Sequence, residues 1–154
     1  MNRVWVYQAD RFFTEPELET VKAKLDVFIQ EWTAHGSQLS AKVDIIYNLF
    51  IVLSVDERVA QVTGCSIDKS VRILKDIEQE IQIDLFNRLL ITYRDDQGDI
   101  QIVSRDVFEA LCQQGVVDEN TIVFNNMVQS PQEFASKWEI PLKDSWHKQL
   151  FAKK

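Results

Sequence analysis

The stretch SAKVDIIYNLFIVLSVD, residues 40–56, decides the fold class. It holds two runs of alternation, Ala41, Val43, Ile45 and Tyr47, then Leu49, Ile51, Leu53 and Val55. A period of two puts each set on one face of an extended strand, and Tyr47-Asn48 supplies the reversal between them. The reading is an antiparallel hairpin, so the folding problem is to find what covers it.

Towards the N-terminus, Thr14-Glu15-Pro16-Glu17 has the form of a capping box with proline in the first turn, where its missing N–H costs nothing. Leu18, Val21, Leu25, Phe28, Trp32 and His35 follow at spacings of three and four, which predicts one helix ending at Gly36. Before it, Val4 and Val6 alternate with Trp5 and Tyr7, so residues 3–8 read as a strand apolar on both faces and hence central in its sheet.

Towards the C-terminus, Gly64-Cys65-Ser66-Ile67-Asp68 opens a second helix with Ser66 as its N-cap and Ile67, Val71, Leu74, Ile77 and Ile81 on one face. Residues 88–94 and 99–104 flank Asp95-Asp96-Gln97-Gly98, the turn chemistry of a second hairpin. Ser104 then caps a short helix that stops at Gly115. Residues 121–124 form a short apolar segment, and Ser130-Pro131-Gln132-Glu133 starts the first of two short helices split at Pro141. The order β-α-β-β-α-β over residues 3–94 fits a split βαβ, ferredoxin-like core. The expected class is therefore α+β in two layers, an antiparallel sheet with helices on one face and a C-terminal helical extension.

A chain of 154 residues, 45% of them hydrophobic, has the size of a single domain, residues 1–154, and can bury roughly 70% of its unfolded surface without disulfides or a structural metal. The net charge of −7 disfavours a nucleic-acid partner, which needs clustered cations to displace counterions. The short apolar runs argue against a membrane span or a signal peptide, and the expected location is cytoplasmic. Cys65 and Cys112 stand alone, without the spacing of a zinc site or a disulfide framework, and no cofactor is expected. Glycines at 36, 64, 98 and 115 only, with no G-x-x-x-x-G-K-[ST], leave no P-loop; H-E-x-x-H and G-x-S-x-G are also absent.

Chemistry has one natural place. Gly64 permits a sharp turn and the helix that follows sets the Cys65 thiol beside unpaired amides, which would stabilise a thiolate or hold an anion. A ligand site there would use Gly64, Ser66 and Asp68, with Trp32 as a platform. A catalytic version would use Cys65 as nucleophile, His35 as base and Asp56 or Asp68 as orienting carboxylate. Three functions follow from different classes: a non-catalytic domain binding a small anionic ligand at Gly64–Asp68, a protein–protein interaction module with no chemistry, and a thiol enzyme. The leading expectation is the first, with no enzymatic activity. The C-terminal segment, with Trp138, Trp146, Leu150 and Phe151, is expected to dock on the body because so much apolar surface does not stay solvated.

Trp32-Thr33-Ala34-His35-Gly36, Val55-Asp56-Glu57, Gly64-Cys65-Ser66-Ile67-Asp68, Pro141, Ser145-Trp146-His147 and Leu150-Phe151 together resemble a small uncharacterised bacterial protein family over the whole chain. Its members are sometimes labelled "ABC transporter ATPase", a label at odds with the missing Walker elements. The resemblance implies one compact domain and supplies no mechanism.

Overall fold

The hairpin at residues 40–56 is built as its alternation demands. In a computed structural model that describes residues 2–34 and 36–151, Ser40–Ile46 pairs antiparallel with Phe50–Asp56 in continuous register. Tyr47 and Asn48 both turn at positive φ, 57° and 54°, and the Leu49 amide closes the turn on the Ile46 carbonyl at 3.1 Å. The described elements in chain order are β1 (Asn2–Gln8), α1 (Glu15–Glu31), β2 (Thr33–Ala34), β3 (Ser37–Gln38), β4 (Ser40–Ile46), β5 (Phe50–Asp56), α2 (Gly64–Ile81), β6 (Leu90–Arg94), β7 (Ile100–Ser104), α3 (Arg105–Gln113), β8 (Ile122–Phe124), α4 (Pro131–Lys137), β9 (Glu139–Pro141) and α5 (Lys148–Phe151). The fold is α+β, with antiparallel sheets throughout. No described helix is long and apolar enough to cross a membrane.

The chain divides into two compact units. One runs to Phe86 and takes in Gln129–Pro131; the other holds Asn87–Val128 and resumes at Gln132. In the first, the sheet order is β1-β5-β4. The central strand is therefore β5, whose Phe50, Ile51 and Leu53 are fully buried, and β1 lies at an edge. That corrects the central placement of residues 3–8. Alternating valines and aromatics reflect partial cover on both faces, whereas the near-continuous run Phe50–Leu53 is what two buried faces require. The Val4 amide on the outer side of β1 donates to the Gln129 carbonyl at 3.0 Å.

Helix α1 begins at the predicted capping box: the Glu17 amide donates to Thr14 Oγ1, and the Thr14 amide to Glu17 Oε1. It packs on β4 and α2, and Val21 and Leu25, like Leu74 and Ile77 of α2, are fully buried. Each such side chain contributes about 1.5–3 kcal/mol. The helix ends at Glu31, a turn before the predicted stop, because Trp32 is extended (φ −72°, ψ 122°) and Gly36, at φ 79°, serves the β2–β3 hairpin instead of a helix terminus. Trp32, Ala34 and Leu39, around the short β2–β3 pair, are buried in one cluster with Val55. The cap of α2 also differs from expectation: Thr63 is the N-cap and Ser66 is the third helical residue.

The fourth strand of the split βαβ order, Leu90–Arg94, belongs to the other unit. There β6 joins a sheet of order β7-β6-β8-β9. Its hairpin with β7 closes over a short turn in which Asp95 Oδ1 accepts from the Gln97 and Asp99 amides and Gly98 takes φ 82°. Such local pairing has a lower loop-closure cost than a return to β1. Ile91, Phe108, Cys112, Val117, Val123, Leu142 and Leu150 form this unit's core. The C-terminal segment packs as predicted at Trp138 and Leu150, but Glu139–Pro141 is an edge strand on β8 where a helix was expected, with proline ending it.

Candidate functional site

The start of α2 is the place where the sequence concentrates candidates, and its geometry follows from Thr63. The Ser66 amide donates to Thr63 Oγ1 at 3.2 Å, the Thr63 amide to Ser66 Oγ at 2.6 Å, and the Ile67 amide to the Thr63 carbonyl at 3.0 Å. Ser66 is 1% exposed, held inside the cap and not offered to a ligand. The amides of Gly64 and Cys65, both exposed, make no hydrogen bond among the described residues.

Trp32 stands one layer beneath. Its indole Nε1 donates to the Ser66 carbonyl at 2.8 Å, and its ring packs against Phe28 and Trp5 with centroids 4.9 and 6.2 Å away. At 1% exposure it is a core clip for the helix start and presents no open face as a platform.

Of the proposed catalytic residues, Asp56 is engaged by a neighbouring arginine. Asp56, at the end of β5, accepts from Arg58 Nη2 at 2.6 Å, from Nε at 2.9 Å and from the Arg58 amide at 3.0 Å. The Arg58 side chain first, and its backbone amide second, lower the Asp56 carboxyl to about 2. Cys65 is exposed, and among the described residues no hydrogen bond joins it to Asp56 or Asp68. Asp68 is exposed on the first turn. His35 lies outside the described residues. Among those described, no group of three His, Cys, Asp or Glu side chains is placed to hold a metal ion.

Two features were not anticipated from the sequence. The first is His147, 1% exposed, with its Nδ1 and the Ser145 hydroxyl hydrogen-bonded at 2.6 Å. Desolvation lowers its pKa from 6.5 to about 4. Trp146, read as an inward anchor, is 36% exposed and stacks on His147 with centroids 3.9 Å apart; His147 and Leu150, three residues apart, are the inward pair. That i,i+3 spacing was the available signal. A Ser–His pair this buried is shut off from any substrate.

The second is the outer edge of β4. This seven-residue strand pairs with β5 alone, without a bulge, and its Ser40–Ile45 backbone makes no bond outside that ladder among the described residues. Lys42 and Asp44 project from one face, with side chains 75% and 53% exposed and Nζ 3.9 Å from Oδ2. Along the strand, a shallow cleft of about 300 Å³ against α1 is lined by Lys22, Leu25, Asp26, Val43, Asp44 and Ile45. The alternation of exposed and partly buried residues along β4 signals a half-buried strand; that its partner lies on one side only depends on sheet order, which alternation does not encode.

Compared with family models, curated proteins and solved structures, the chain matches none.

Proposed function

We propose that the chain is a protein-interaction module without chemistry of its own, which takes its partner as an added strand along the outer edge of β4. The observation that carries this reading is the seven-residue, unbulged edge whose Ser40–Ile45 backbone donors and acceptors bond nothing beyond β5 among the described residues. Strand addition draws its affinity from such a row and its selectivity from pockets for alternate side chains, and the cleft beside Val43 and Ile45 offers those pockets. The other edge of the same sheet is not equivalent, since the Val4 amide is already taken by Gln129.

A photo-crosslinking amino acid at position 42, compared in cells with one at Asp96 in the exposed β6–β7 turn, tests the reading. Discrete protein adducts from position 42 and none from position 96 are expected. Equal adduct patterns, or none from either, would reject it.

A second reading keeps a small anion at the start of α2, held by the amides of Gly64 and Cys65, which bond no described residue and lie on an exposed first turn. Titration with inorganic phosphate followed by amide NMR shifts tests it. Saturable shifts at Gly64 and Cys65 support the anion, and shifts spread evenly over the chain remove it.

A further inference from the structure

Building on the strand-addition reading, we infer that the partner at the β4 edge is a second copy of this chain, paired antiparallel about a two-fold axis through Val43. The argument is charge complementarity. When Val43 faces Val43 of the second copy, Lys42 stands directly opposite Asp44 of that copy and Asp44 opposite its Lys42. Directly opposed side chains lie on the same sheet face, so both pairs form on the face where Lys42 and Asp44 are exposed. On the other face Ala41 meets Ile45 of the second copy and Val43 meets Val43, an apolar row that continues the partly buried side of β4.

No neighbouring register does this. A shift that centres the pair on Lys42 sets lysine against lysine, and one that centres it on Asp44 sets aspartate against aspartate. A shift by a single residue brings the charged row against the apolar row. A lysine on an edge strand ordinarily deters pairing. With Asp44 two residues on, the same lysine becomes a selector, since a strand with another charge order is opposed while a second copy is matched. The α1 border of the edge adds Lys22 and Asp26, one charge of each sign, and so no net repulsion. The resulting sheet has the order β1-β5-β4 followed by its symmetry mate, six strands in all. The outer edge of β7 offers no comparable choice of occupant, because Ile100–Ser104 carries no charge to set a partner or a register.

The test is a charge swap read by sedimentation of the full chain over a concentration series. The natural protein should form a dimer. Lys42→Asp and Asp44→Lys each place like charges opposite one another twice, and each alone should associate at least about tenfold more weakly. An equimolar mixture of the two variants should recover association as a heterodimer, and the double variant Lys42→Asp/Asp44→Lys should recover the homodimer. Both positions are exposed, and circular dichroism checks that the variants fold. A natural protein that stays monomeric, single variants that associate like it, or a mixture that does not re-associate would each overturn the self-pairing. If the position-42 crosslinker meanwhile captures a different protein, strand addition stands and only the identity of the occupant fails; if it captures nothing, both fail.

Discussion

The Trp32 indole donates a 2.8 Å hydrogen bond to the carbonyl of Ser66, and both residues are 1% exposed. This bond ties the end of the first helical segment to the first turn of α2 from inside the core. Trp32→Phe keeps most of the packing and removes the donor, so it should destabilise by about 1–2 kcal/mol. Trp32→Ala also opens a cavity among Phe28, Trp5 and Val55, and should cost about 3–5 kcal/mol. Urea unfolding at unchanged m-value checks both; equal costs for the two would mean that the indole N–H carries the whole effect.

The reciprocal cap at Thr63 and Ser66 gives a second test. Thr63→Ala removes the acceptor of the Ser66 amide, and Ser66→Ala removes the acceptor of the Thr63 amide. Each should cost about 1 kcal/mol. Because the two side chains act on one helix end, the double variant should cost less than the sum of the singles, as a double-mutant cycle would show. Strict additivity would mean that the two bonds do not form one unit.

His147 sets a pH dependence whose sign follows from its burial. Its pKa is about 4 in the folded protein against an ordinary 6.5, so the unfolded chain takes up the proton first. The stability contributed by neutral His147 is complete above pH 6.5 and is lost as pH falls from there towards 4. Between pH 7.5 and 5 the loss should be about 2 kcal/mol, and His147→Phe should flatten the slope over that range. Glu17 and Asp56, each lowered to about 2 by an arginine hydrogen bond, lose their contributions only below their ordinary values of 4.5 and 3.8. The two regimes therefore separate in a series of unfolding curves. An unchanged slope in the variant would place the titrating group elsewhere.

The two thiols should differ sharply in accessibility. Cys65 is exposed on the first turn of α2, whereas Cys112 is 1% exposed beside Phe108 and Leu150. A disulfide reagent should titrate one thiol per folded chain and a second only after denaturant is added. Two fast equivalents would show that the α3 core opens readily.

Much of this architecture was legible because it rests on local rules. The box at Thr14, the turn at Tyr47-Asn48, the Asp95–Gly98 turn and the Ser104 cap each fix a backbone through a few neighbouring atoms, and each stands where alternation and capping chemistry place it. The readings that changed depend on relations between distant segments. Trp32 fits the stripe of α1 by spacing, yet an extended Trp32 buries its ring equally well and gains the Ser66 carbonyl, 34 residues away. Leu90–Arg94 has the composition of a fourth strand for either sheet, and a nearby hairpin partner decided between them. At the candidate site, spacing predicted a helix opening at Gly64–Asp68; it could not reveal that Thr63 would occupy the Ser66 amide, or that Arg58 would engage Asp56.

The bond from the Val4 amide to the Gln129 carbonyl gives the first unit a history as well as a shape. A ribosome delivers all of β1, β4, β5 and α2 by Phe86, but Gln129, whose carbonyl takes the Val4 amide, emerges only some 40 residues later. At about 5–20 residues per second, the nascent sheet waits on the order of 2–8 s with that backbone row open. A fragment ended at Phe86 would hold the same exposure permanently, so it should need help to stay soluble that the full chain needs only briefly.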